Sequence, residues 1–249
     1  MNLKEKVLTG GVMRQHFFVK NQWQALTVIA VAVLFSLSLW FSASAVLPQL
    51  KQQWNINMVQ GSFITTFLQL GFIAGALTSA FIGFADKYKP RTIFIVSSIL
   101  GAFLNALFIF SPSFEIGLAL RFFTGVSLAG VYPIAVKLVS LWFDDNKGVS
   151  MGILIAGLTL GSALPHLVSA FPITVSWEVI ILISSVFALS ASFLIGVFLP
   201  EKTDYANEVE ETRHSIKVLL KNRKVMLANY GYWFHMWELY AMWTWLPYF

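Results

Sequence analysis

The run ALTVIAVAVLFSLSLWFSASAVLPQL, residues 25–50, contains no Asp, Glu, Lys, Arg or His. A helix needs roughly 20 residues to cross about 30 Å of hydrocarbon, and inside hydrocarbon every backbone N–H and C=O must be bonded within the segment. Ala25 to Leu50 is therefore read as a membrane-crossing helix. Working outward, the same reading applies to Val59 to Ala85, Thr92 to Phe110, Phe114 to Phe143, Val149 to Phe171 and Val179 to Leu199. A seventh, aromatic-rich segment runs from Val225 to Phe249. Ala43-Ser44-Ala45 has the small-x-small form of a signal-peptide cleavage site. The long polar stretch ahead of the first run, and the further apolar runs behind it, instead indicate an uncleaved helix.

The composition agrees with this. Of 249 residues, 57% are apolar, 16% are aromatic and only 12% are charged. A soluble domain carries about 25% charged residues. The mean hydropathy is +0.70. The net charge of +5 comes from 17 Lys and Arg against 12 Asp and Glu. These bases lie between apolar runs rather than in one patch, so a nucleic-acid partner is not indicated. There is no cysteine, which excludes disulfides and thiolate metal sites.

The bases also orient the chain, because Lys and Arg stay preferentially on the cytoplasmic side. Lys4, Lys6, Arg14 and Lys20 precede span 1; Lys87, Lys89 and Arg91 join spans 2 and 3; Lys147 joins spans 4 and 5. Lys202, Arg213, Lys217, Lys221, Arg223 and Lys224 join spans 6 and 7, whereas the opposite connections hold only Lys51. The N-terminus is accordingly expected in the cytoplasm. The organisation that follows is a cytoplasmic segment 1–24, a six-helix domain 25–199, a cytoplasmic loop 200–224 and a seventh helix 225–249. Within the loop, Val209, Arg213, Ile216 and Leu220 recur at helical spacing, giving either an interfacial amphipathic helix or a charged linker. Gly71-x-x-x-Gly75 in span 2 and Gly157-x-x-x-Gly161 in span 5 repeat one small-residue pattern in the second helix of each group of three. Groups with an odd number of spans must be inverted relative to each other. The expected fold is thus an all-α membrane protein: a six-helix bundle of two inverted three-helix repeats, plus one further transmembrane helix.

Ionisable groups inside hydrocarbon are costly and point to cavities or partners. Arg121 stands about seven residues into span 4, beside the small residues Gly125, Ser127, Ala129 and Gly130. It either faces a solute or proton pathway or snorkels into a structural ion pair. Tyr132-Pro133 interrupts the same span, and Lys137 near its end reads as a snorkelling anchor. In span 5 His166 follows Pro165, either as a proton-exchanging group or as a packed imidazole. In span 7 His235 and Glu238 share a face at i, i+3, as a proton-loading pair or a structural one. Trp40, Gln69 and Asn105 are further groups able to meet a solute. The four histidines, His16, His166, His214 and His235, have no metal-ligand spacing, and no G-K-[ST] phosphate loop occurs. Neither an enzyme nor a bound cofactor is expected.

These features together resemble the N-terminal half of a major facilitator superfamily transporter, with span 7 resembling the first helix of the second half. In that family the connection between spans 2 and 3 carries G-x-x-x-D-[RK]-x-G-[RK]-[RK]; here it reads Gly83-Phe-Ala-Asp86-Lys87-Tyr-Lys89-Pro90-Arg91. The resemblance implies that Asp86, Lys87 and Arg91 form a conformational gate. The leading Gly stands one place late, and Lys89 replaces the inner Gly. The family pattern R-x-x-x-G matches Arg121 and Gly125 and implies a group near a central cavity. The antiporter pattern of span 5 survives only in Gly152, Gly157, Gly161 and Pro165, so antiport is not implied. Residues 39–48 and 235–243 are loosely similar to prokaryotic nitrate or cyanate carriers, which suggests a small anion.

The resemblance implies secondary active transport of a small anionic or polar solute, coupled to protons, in a prokaryotic inner membrane. The pathway residues are Arg121, Trp40, Gln69, Tyr132, His166, His235 and Glu238. Such transporters use two six-helix halves, so a missing C-terminal half or a second copy is expected as partner. An interrupted reading frame, a fragment or a dimerising half would each account for the length. The Gly faces of spans 2 and 5 are expected to meet that other half. A non-transporting membrane receptor on the same scaffold is the alternative.

Overall fold

The structure is a computed structural model that describes residues 19–169, 176–201 and 221–245. The amphipathic segment expected around Val209 to Leu220 lies outside the described residues, as do His16 and His214. Helix α1 (Gln22–Ala45) begins at Asn21, whose side chain accepts from the Gln24 N–H at 2.9 Å. It ends earlier than the apolar pattern suggests, and α2 (Leu47–Trp54) follows as a separate helix. The physical reason is Pro48, which has no N–H to offer the Ser44 carbonyl, so the Val46 N–H takes that bond instead. Helix α3 (Met58–Ile82) opens on a reciprocal cap between Asn57 and Gln60, with N···O distances of 2.8 and 2.9 Å. It closes at Gly83, whose φ of +67° suits a residue without Cβ.

A short helix, α4 (Phe84–Lys87), leads to α5 (Pro90–Leu107), which tightens into a 3-10 turn at Phe108–Phe110. The fourth span is two helices, α6 (Phe114–Leu128) and α7 (Tyr132–Trp142). Between them Gly130 and Val131 donate three residues back, to Ser127 and Leu128, each at 3.0 Å. The interruption sought at Tyr132-Pro133 thus begins three residues earlier, with Pro133 in the first turn of α7. Helices α8 (Lys147–Ser169), α9 (Trp177–Phe198) and α10 (Arg223–Trp245) complete the chain. Six helical stretches are long and apolar enough to span a membrane among the described residues, and α10, rich in Trp and Tyr, is not one of them.

The packing repeats in pairs. Helix α3 lies against α6 as α1 lies against α8; α5 lies against α6 as α1 lies against α9; and α5 and α9 meet each other. Exchanging the first three spans for the last three leaves this pattern unchanged, which is the signature of an inverted repeat.

The glycine faces make the two principal contacts, and here the sequence expectation is corrected. They serve packing inside the bundle rather than meeting another half. A Cβ at Gly71 would collide with the Phe122 carbonyl, and one at Gly75 would lie 2.8 Å from the Val126 carbonyl. One at Gly157 would lie 2.8 Å from the Ala30 carbonyl, and one at Gly161 would collide with that of Leu34. Lipid tails are as apolar as leucine, so helices in a bilayer gain from close backbone approach rather than from burial.

Large apolar side chains such as Phe81, Phe103, Phe110 and Phe193 stand outward, as an integral multi-pass membrane protein requires. Inside are two apolar clusters, one containing Leu39, Phe41, Ala102 and Ala188, the other Ala43, Phe108 and Ile181. Between them along the chain fall Ser42 on α1, Asn105 on α5 and Ser185 on α9. The core is thereby split by a polar layer.

Candidate functional site

Arg121 fills that layer. It reaches in from the third turn of α6 and is only 1% exposed, the bulkiest of the fully buried side chains among the described residues. Its Nη1 donates to Asn105 Oδ1 (3.0 Å), the Leu39 carbonyl (3.2 Å) and Ser42 Oγ (3.3 Å). Its Nη2 donates to the carbonyls of Trp40 (2.8 Å) and Leu39 (3.2 Å). The guanidinium carbon lies 5.9 Å from the centroid of the Phe108 ring. Asn105 carries the layer onward, its Nδ2 donating to the Ile181 carbonyl (3.1 Å) and to Ser185 Oγ (3.0 Å). Nearer the basic end the seam between α1 and α5 continues as a 3.0 Å contact between the Ser36 and Ser98 hydroxyls.

These acceptors of the guanidinium are all neutral, and no carboxylate pairs with Arg121 among the described residues. Isolated charges in a low-dielectric interior are tolerated only when their donors are well satisfied. Here three of the five hydrogen bonds go to backbone carbonyls one and a half turns from the end of α1, where the helix dipole is negative. The sequence alternatives for Arg121 were a pathway or a snorkelling ion pair. The side chain points inward with no ion pair among the described residues and bonds the Trp40 carbonyl.

Trp40 is buried and forms the other side of the arrangement. Its ring meets Phe72 of α3 edge-on at a centroid distance of 5.1 Å. It also faces Tyr240 of α10, with planes 12° apart and centroids 6.1 Å apart. Gln69, one turn before Phe72, is buried, and its Nε2 has no hydrogen-bond partner among the described residues. Arg121, Trp40 and Gln69 therefore belong to neighbouring parts of one region. His235 and Glu238 lie exposed on α10, and no ion pair joins them among the described residues. His166 is exposed on α8 with its ring 6.0 Å from that of Phe41, and Tyr132 is half-buried at the start of α7.

The residues read as a gate lie at the basic end and make separate contacts there. Asp86 Oδ1 pairs with Lys137 Nζ at 2.8 Å, and the same ammonium donates to the Ala85 carbonyl at 2.8 Å. Lys137, read from sequence as a snorkelling anchor, therefore ties α7 to the end of span 2. Arg91 donates from Nε to the Ile195 carbonyl (3.2 Å) and from Nη2 to the Gly196 carbonyl. These are carbonyls of the last turn of α9, where a cation complements the helix dipole. Lys89 pairs with Glu201 at 3.0 Å, and Lys87 is exposed. Sequence reasoning missed Lys137 as partner of Asp86. It also missed the joint role of Ser42, Asn105 and Ser185, whose only advance signal was polarity inside apolar runs.

The described residues form an inverted-repeat membrane bundle with ion pairs at its basic end and a ligated guanidinium in its core, an architecture of the class of membrane-transporter domains. Residues 29–249 match the Major Facilitator Superfamily, and the chain belongs to that family. It is 28% identical over 160 residues to the 4-hydroxybenzoate transporter PcaK of Pseudomonas aeruginosa, covering 64% of this chain and 35% of that protein. It is 29% identical over 163 residues to the niacin transporter NiaP of Acinetobacter baylyi, covering 64% and 36%. It is 22% identical over 222 residues to the probable sulfoacetate transporter SauU of Cupriavidus necator, covering 82% and 51%. The chain thus spans between about a third and a half of the length of these relatives. They are named as transporters rather than enzymes, for organic acids rather than for nitrate or cyanate.

Proposed function

We propose that this chain is the N-terminal half of a secondary transporter for small organic anions, working by alternating access with a second six-helix half. The observation that carries the reading is the buried Arg121 whose guanidinium is held by neutral oxygens alone. A fixed positive charge in a low-dielectric wall lowers the energy of an anion nearby far more than it would in water. The sulfonate and carboxylate substrates in the names of the relatives support the same class of solute. The relatives' greater length supports the need for a second half, supplied either by a C-terminal continuation or by another copy.

The N-terminus lies in the cytoplasm of a prokaryotic cell, so the charged ties at the basic end form the inner gate. Asp86 with Lys137, and Arg91 with the end of α9, hold that side closed and must part when it opens. Proton coupling assigns the titrating role to His235 and Glu238 on α10 and to His166 on α8.

The test is equilibrium binding of nicotinate and of its uncharged amide to the purified protein, followed by nicotinate uptake into vesicles with and without an imposed pH gradient. The reading expects nicotinate to bind at least tenfold more tightly than nicotinamide, and Arg121→Gln to remove the difference. Equal affinity for acid and amide, or unchanged selectivity in Arg121→Gln, overturns it. Uptake indifferent to the pH gradient overturns the coupling. A reporter fused to the N-terminus and found outside the cytoplasm overturns the orientation.

A further inference from the structure

We propose that the groove over the break in span 4 binds an anionic glycerophospholipid, with one acyl chain in the groove and the phosphate at Lys87. The site is separate from the Arg121 layer and does not depend on which solute the path carries. Helices α3, α5 and α6 leave a cavity of about 390 Å³ between them, floored by Val126, Ala129 and Gly130, where span 4 changes from α6 to α7. Its rim at the basic end is made by Ile82 and Phe84, both exposed, so the cavity opens towards the bilayer rather than towards the polar layer. Apolar walls of this kind suit an acyl chain, which gains contacts along its whole length.

Three hydroxyls show that the occupant is not purely apolar. Hydroxyls on these spans commonly bond back to a carbonyl of their own helix, as Thr66, Thr124 and Ser140 do. Thr78, Ser79 and Ser97 line the cavity and make no such bond among the described residues. Ser97 Oγ stands so close to the break that a Cβ on Gly130 would collide with it. A hydroxyl left unpaired in hydrocarbon is costly, and an arriving acceptor relieves that cost. Thr78 and Ser79 lie three to four residues before the end of α3, about 5–6 Å along the axis. That is the thickness of the layer between hydrocarbon and water, where the ester carbonyls of a glycerophospholipid sit. The charge comes from Lys87, which is exposed three residues beyond Phe84 and has no ion pair among the described residues. Lys89 is paired with Glu201, Lys137 with Asp86, and Arg91 donates to the end of α9. The neighbouring Asp86 is already met by Lys137 at 2.8 Å, so a phosphate at Lys87 finds its repulsion offset. Apolar groove, unpaired donors one turn from the end of the span and a spare base beyond them follow the order of tail, ester and headgroup, and bases beside clefts between membrane helices attract anionic headgroups.

The experiment titrates the delipidated full chain, in a neutral detergent, with dioleoyl phosphatidylglycerol and dioleoyl phosphatidylcholine, which share their tails and differ in net charge. Native mass spectrometry counts the bound lipid. Phosphatidylglycerol is expected to bind at least fivefold more tightly. Lys87→Gln lowers that preference by about fivefold, the worth of one base at a lipid surface, whereas Lys147→Gln, at the start of α8, leaves it unchanged. Thr78→Phe, which fills the groove from an exposed position, weakens both lipids at least tenfold, and Thr78→Ser, which keeps the hydroxyl, retains them. Glycerol 3-phosphate, a headgroup without tails, does not displace the lipid at tenfold excess. Equal affinity for the two lipids, equal effects of Lys87→Gln and Lys147→Gln, or equal binding by Thr78→Phe and Thr78→Ser overturns the proposal. Displacement by glycerol 3-phosphate overturns it in favour of a site for free phosphate.

Discussion

Replacing Asn105 by leucine is the perturbation that most sharply tests the polar layer. The change keeps the branched heavy-atom skeleton, so no cavity opens, and the cost is worked from hydrogen bonds. Four are lost: from Arg121 Nη1 and from Ser42 Oγ to Oδ1, and from Nδ2 to the Ile181 carbonyl and to Ser185 Oγ. Hydrogen bonds between membrane helices average about 0.6 kcal/mol, so the three neutral ones contribute about 2 kcal/mol. The bond from the guanidinium adds about 1.5–3 kcal/mol, because it leaves a buried charge with fewer ligands. Asn105→Leu should therefore destabilise the protein by about 4 kcal/mol. Arg121→Met costs less, about 1–3 kcal/mol. It removes the charge itself, and the Leu39 and Trp40 carbonyls stay within an intact helix, where Ala43 and Ser44 stand four residues on. The decisive quantity is the double variant. Once the charge is gone, Asn105→Leu loses its charged component, so the two effects sum to at least 1 kcal/mol more than the double variant shows. Reversible unfolding in bicelles measures all three. Additivity within about 0.5 kcal/mol would refute the claim that Asn105 solvates the guanidinium.

Other outcomes follow from the same geometry. Gly125→Ala drives a methyl into the Leu68 carbonyl and should cost about 1–3 kcal/mol by thermal unfolding in detergent. Gly152→Ala on α8 meets nothing within 4 Å and should stabilise by up to about 1 kcal/mol, as alanine does in a helix interior. Asn57→Ala removes the cap of α3 and should lower stability by about 1 kcal/mol in the same assay. Lys137→Met breaks an ion pair whose Asp86 side chain is 63% exposed, so stability should move by less than about 1 kcal/mol. Its effect should appear instead in labelling of a cysteine placed on the inner side of span 2, which becomes faster when the tie to Asp86 is lost and is slowed again by the charge exchange D86K/K137D.

The spans were legible because hydrocarbon permits so few solutions: a run such as residues 25–45 satisfies its backbone only as a helix. Breaks were harder to place. Pro133 announces a missing donor, but the chain relieves it upstream at Gly130 and Val131, where glycine and the three-back bonds make the tightening easiest. Pro48 acts in the same way on the end of α1. The glycine pattern identified close-packed faces correctly but not their partners. A small-residue face fixes how near two helices come and says nothing of which helix arrives. Lys137 was misread for a related reason, since a lysine near a helix end looks the same whether water or Asp86 receives it.

The symmetry of the bundle clarifies why Arg121 matters. Gly71 and Gly75 meet Phe122 and Val126 on α6, while Gly157 and Gly161 meet Ala30 and Leu34 on α1. Matching these contacts pairs Arg121 with Ile29, an apolar residue that is fully buried. The repeat therefore reproduces its packing but not its charge. Close contacts through glycine define a scaffold with two equivalent halves, and such a scaffold alone has no preferred place for an anion. One guanidinium on α6, answered by the carbonyls of α1, breaks the equivalence and gives the interior a single electropositive position. If that asymmetry rather than the scaffold confers selectivity, moving the charge by the exchange Ile29→Arg with Arg121→Ile should preserve helix packing more readily than anion binding. Nicotinate affinity that survives the exchange would show that the position of the charge is not what the site uses.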